Sequence, residues 1–142
     1  MGKAAKHKHS GMSLTVASKL TRAELADLAR AAADSAKGNN WNSPGTVRFE
    51  QASGERLDFS VQSRGPVKRE LMTFAIMTTA QGETVELTTR IVTFKTMQQK
   101  FLGVPLGAKK LLGLAAYRDF IEKFQLGIAA RDSRSTANVT GI

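Results

Sequence analysis

A chain of 142 residues with a net charge of +9, 42% hydrophobic residues and no cysteine has the size of one domain that folds on its core alone. The missing cysteines exclude disulfides, thiolate zinc sites and a cysteine nucleophile, and no apolar run reaches the roughly eighteen residues of a membrane-spanning helix. The charge is uneven. Lys3, Lys6 and Lys8 fall in the first eleven residues, whereas residues 12–130 hold sixteen basic and eleven acidic side chains, enough for weak attraction to phosphates but not by itself a nucleic-acid site.

Residues 1–11 lack apolar periodicity and are expected to form a disordered basic tail. No apolar stretch of signal-peptide length follows them. With the absence of cysteine, this fits a reducing, cytoplasmic setting. Residues 12–17 alternate weakly, as a short first strand does. Thr21-Arg22-Ala23-Glu24 has the form of a capping box, with Leu20 and Leu25 placed for a hydrophobic staple. Leu25, Leu28, Ala29, Ala32 and Ala36 then recur at helical spacing. The spacing predicts a helix over 20–37, ended by Gly38 and Asn39, and its Ala-rich face suits close approach to a sheet.

Trp41 and Pro44 mark a loop, and four strand-like runs follow it. Residues 46–51 place Val47 and Phe49 on one face, and residues 56–62 do the same with Leu57, Phe59 and Val61. Ser53-Gly54-Glu55 between them reads as a hairpin turn. Residues 68–79 are apolar on both faces, Leu71, Ala75 and Met77 against Met72, Phe74 and Ile76, as in a central strand covered on both sides. Gln81-Gly82 is a second turn. Residues 84–96 form a long strand whose apolar face changes near Ile91 and Val92, the mark of a bulge. Gly103, Pro105 and Gly107 make 98–110 a loop with an apolar tip. Leu114, Tyr117, Ile121, Phe124 and Ile128 predict a second amphipathic helix from about 109 to 130. Residues 131–142 carry no pattern and are expected to be a flexible C-terminal tail.

The order β-α-β4-α, with short turns between the four strands, implies an α+β domain over 12–130 whose curved, mostly antiparallel sheet carries both helices on one face. This order resembles the helix-grip architecture, and also the single repeat of TATA-binding-protein-like folds. The resemblance is one of architecture and implies no function.

His7 and His9 are the only histidines and both lie in the basic tail. Ser-His catalysis therefore has no parts within the domain, and two histidines on floppy chain make no metal site. The scattered carboxylates read as a solvated sheet face. Gly103 to Lys110 superficially resembles a phosphate loop, but its glycine spacing is one short and no Ser or Thr follows the lysines. What remains is an anion site at a helix start, formed by Gly107, Lys109 and Lys110. Arg48, Arg56 and Arg90, with Arg64, Lys68 and Arg69, offer a basic sheet face without interleaved aromatics.

The expected function is a non-enzymatic binding module that holds an apolar small molecule or lipid between the C-terminal helix and the sheet. The expected lining is Phe74, Ile76, Met77, Leu87, Phe101, Leu114, Tyr117, Ile121 and Phe124. A protein-interaction or structural domain is the second reading, and nucleic-acid or anionic-surface binding through the basic patches is the third. No cofactor or metal is expected.

Overall fold

The structure is a computed structural model that describes residues 10–36, 45–63 and 69–141, with backbone alone at 97–100 and 105–110. Its elements run β1 (Ser13–Ser18), α1 (Arg22–Ser35), β2 (Thr46–Ser53), β3 (Arg56–Gln62), β4 (Glu70–Gln81), β5 (Thr84–Phe94), β6 (Thr96–Phe101), β7 (Val104–Leu111), α2 (Leu114–Arg131) and β8 (Thr136–Thr140). The class is α+β, with one curved six-stranded antiparallel sheet in the order β2-β3-β4-β5-β1-β8 and a separate β6–β7 hairpin.

Local chemistry explains most of these boundaries. Thr21 accepts from the Glu24 backbone N–H, and the Glu24 carboxylate accepts in return from the Thr21 backbone, so two otherwise unpaired N–H groups at the helix start are satisfied reciprocally. The bulge expected near Val92 is present, because the β4–β5 register shifts between Thr73 and Phe74, which face Thr93 and Ile91. The turns at Gly54 and Gly82 join paired strands and give the positive φ to glycine.

Three expectations are corrected. First, α2 does not start near Lys109. It opens at Gly113, which has φ +85 and stands so near Val61 that an added Cβ would lie 3.1 Å from its Cγ1. Gly113 is therefore the cap that ends β7 and begins the helix, not a weak point inside it. Second, the glycine- and proline-marked segment after Thr96 is a two-stranded hairpin, not a loop. Third, the expected flexible tail contains β8, which pairs with β1 from Ser13↔Thr140 to Ala17↔Thr136.

Both helices bury their apolar stripes against one face of the sheet. Leu25, Ala29 and Ala32 of α1 join Tyr117, Phe120, Phe124 and Ile128 of α2 in one core with Leu14, Val16, Phe59, Phe74, Ile76 and Leu87. The helices run antiparallel. Arg131 Nη2 meets Glu24 Oε2 at 2.8 Å near one end, and Lys123 Nζ donates to the Ser35 carbonyl at 2.7 Å near the other. The opposite sheet face carries Thr, Ser and paired charges, and no described element covers it. The both-sided cover expected for β4 is thus not found: Ala75 is buried, but Met77 is 44% exposed.

Candidate functional site

The residues expected to line a cavity beneath α2 divide into two groups. Phe74, Ile76, Leu87, Tyr117, Ile121 and Phe124 are buried between helix and sheet, with Leu114 packed at their margin. They pack on one another. The Phe74 ring lies 4.9 Å from those of Tyr117 and Phe120, and 5.2 Å from that of Phe59, so aromatic contacts occupy this level of the interior. Met77 and Phe101 do not face that space. Met77 belongs to the opposite sheet face, because its register partner Arg56 alternates with the inward Leu57, and Phe101 ends β6, 64% exposed. Alternation itself sets Met77 with Leu71 and Ala75, opposite Phe74 and Ile76, so its place in the expected lining conflicted with the parity of its own strand.

A polar chain crosses this core. Tyr117 Oη donates to the Met12 carbonyl at 2.9 Å, which commits its single proton. Thr89 Oγ1, 2.9 Å away, must then donate to the tyrosine oxygen, and it accepts in turn from the Leu14 N–H at 2.9 Å. Every member is satisfied, and α2, β5 and the start of β1 are tied together. Burial pushes the Tyr117 hydroxyl up to about 12, with the Thr89 hydrogen bond opposing the shift.

Space for a ligand occurs nearer the end of α2. Between its last turns and the strand pair β1–β8 lies a half-open groove of about 330 Å³, lined on its apolar side by Val16, Leu126, Ile128, Ala129 and Ala137. Glu122, Gln125 and Ser135 supply its polar groups. The groove exists because Ala137, on the helix-facing side of β8 opposite Val16, is too small to reach α2. No residue pattern announces it, because recognising β8 is a prerequisite.

A smaller cleft of about 220 Å³ adjoins the other side of the β8 entry, where Ser18, Lys19, Asp132, Arg134 and Thr136 converge. Asp132 ends α2 and is fully engaged. Its Oδ2 accepts from Ser18 Oγ and from the Lys19 N–H, each at 2.8 Å, and its Oδ1 accepts from the Arg134 N–H at 3.2 Å. These bonds, led by the Lys19 amide, hold its carboxyl below the ordinary carboxylate value. The cleft therefore has its anion occupied and carries two cationic residues, Lys19 and Arg134.

The other candidates are placed as follows. Gly107, Lys109 and Lys110 lie in β7, so they cannot supply helix-start N–H groups, and the helix-dipole argument for an anion site there fails. Arg48, Arg56 and Arg90 do share one sheet face, but Arg48 and Arg56 are paired with Glu50 and Asp58 at 3.5 and 2.8 Å. His7, His9, Trp41, Arg64 and Lys68 lie outside the described residues. Among the described residues no three of His, Asp or Glu group as metal ligands.

The β6–β7 turn is anomalous. Phe101 pairs with Val104, leaving Leu102 and Gly103 as a two-residue loop with φ of +52 and +82, the sign pattern of a type I′ turn. That turn favours Asn-Gly or Gly-Gly, and a leucine in the left-handed region costs about 1–2 kcal/mol. Leu102 is also 88% exposed and Val104 59% exposed, so no burial in the fold offsets that cost.

Compared with protein-family models, curated proteins and solved structures, the chain matches none.

Proposed function

We propose that the chain is a non-enzymatic binding module that holds an apolar small molecule, or the acyl part of a lipid, in the groove between α2 and β8. The observation that carries this reading is the groove itself. At about 330 Å³ it lies at the lower end of the 300–1,000 Å³ typical of ligand pockets, and five of its lining residues are hydrocarbon. It lies between the last turns of α2 and the β1–β8 strand pair, at a different level from the expected lining around Phe74 and Tyr117. The rings of Phe74, Tyr117 and Phe124 are not part of its lining; they fill the core and fix the helix over the sheet.

Lys19 and Arg134 line a separate cleft, so the groove itself selects for the apolar body of a ligand rather than for its head. A medium-chain fatty acid is accordingly the probe of choice. Fluorescence titration with a displaceable apolar dye tests the reading. Wild-type protein releases dye as decanoate is added, and Ala137→Trp, which fills the groove from an exposed strand position, weakens decanoate at least about tenfold. Equal affinity in the two proteins, or no saturable binding, rejects the groove as the site.

A further inference from the structure

The hairpin tip carries a second, independent inference. Among the described residues, the two other two-residue hairpin turns are built from Gly54-Glu55 and Gly82-Glu83, glycine at the positive φ and an acid beside it. The third places Leu102 at a positive φ and sets Phe101 and Val104 on either side of Leu102-Gly103. All three apolar side chains face solvent, at 64, 88 and 59% exposure. A strained and exposed leucine contributes nothing to the fold that asparagine would not supply with less strain, so its value lies in contact with something outside the chain.

The charge around the tip says what that is. Between Arg90 and Arg118 the chain carries Lys95, Lys100, Lys109 and Lys110 and no acidic residue. Lys95 is exposed at the hairpin base, Lys100 pairs with Pro105 next to the tip, and Lys110 pairs with Met97. A separate two-stranded ribbon with a hydrocarbon end and lysine as its only charged residue type matches the cross-section of a bilayer interface, apolar within and anionic at the headgroups. We propose that the β6–β7 hairpin docks the protein on an anionic lipid surface, inserting Phe101, Leu102 and Val104 below the headgroups. Nucleic acid is a poorer fit: minor-groove arms rely on arginine and polar side chains, whereas this hairpin carries no arginine and ends in three adjacent apolar residues.

Co-sedimentation of the full chain with vesicles tests this. Wild-type protein pellets with vesicles of equal parts phosphatidylcholine and phosphatidylglycerol and much less with phosphatidylcholine alone, each lysine near the surface adding roughly fivefold. Added salt weakens the binding. Leu102→Asn removes the hydrocarbon yet suits the left-handed turn, so partitioning falls about tenfold or more while the melting temperature stays equal or rises. Lost binding in that variant therefore cannot come from unfolding. Ala137→Trp leaves vesicle binding unchanged, which separates this inference from the groove. Wild-type protein that ignores the mixed vesicles, or Leu102→Asn protein that binds them as well as wild type, overturns the proposal. Salt-sensitive binding to duplex DNA without vesicle binding overturns it as well and assigns the hairpin to nucleic acid.

Discussion

Thr89 Oγ1 and Tyr117 Oη stand 2.9 Å apart inside the core, the middle link of a hydrogen-bond chain from the Leu14 N–H to the Met12 carbonyl. Tyr117→Phe keeps the ring packing but leaves the Met12 carbonyl and the Thr89 hydroxyl proton without their partner. Such a loss costs about 1–3 kcal/mol. A lower denaturant midpoint at unchanged slope is the expected result.

The same hydroxyl sets an alkaline limit. Its value is about 12 in the folded protein against about 10 in an unfolded chain, so folding favours the neutral form. The contribution is complete below pH 10 and is lost as pH rises toward 12, a difference of roughly 2–3 kcal/mol at 1.4 kcal/mol per unit. Tyr117 is the only tyrosine, so its ultraviolet titration reads the group directly. Tyr117→Phe should show a flatter stability profile across that window.

Asp132 sets the acidic counterpart. Its folded value is lowered, so its stabilisation is present above the ordinary value near 3.8 and disappears as pH falls through the folded one. Asp132→Ala should lower the melting temperature at pH 7. The gap to wild type should close in strong acid, where the wild-type carboxyl is itself protonated.

Gly127 lies inside α2, where glycine costs about 0.5–1 kcal/mol relative to alanine. A Cβ there would meet only Leu28 Cδ2, at 3.4 Å, and that side chain can give. Gly127→Ala is expected to stabilise the protein by about 0.5–1 kcal/mol in thermal or chemical unfolding.

The strong local signals were legible in the sequence. The Thr21 and Glu24 capping box, the alternation of β2 and β3, and the bulge near Val92 each have a short-range cause that the residues display. The missed features depend on long-range pairing or on a local rule being broken. Thr136–Thr140 is polar apart from Ala137 and Val139, and it becomes a strand only because β1 offers it a ladder. Pro105 and two glycines argued against strands in the hairpin, and Leu102 occupies a turn position where glycine or asparagine is the expected signal. Leu111 and Leu112 continue an apparent helix backwards from Leu114, and only the left-handed Gly113 divides them from it. The candidate groove was the least legible feature, since it is bounded by β8, whose only strand signal is the short alternation of Ala137 and Val139.

Amide NMR of the wild-type chain titrated with decanoate tests the groove most directly. The account predicts saturable shifts concentrated at Gln125–Ala129 of α2 and at Ser135–Ala137, where the chain enters β8, with the amides around Phe74 unmoved. Shifts centred on the Phe74, Tyr117 and Phe124 rings, or none at all with the ligand in excess, would contradict it.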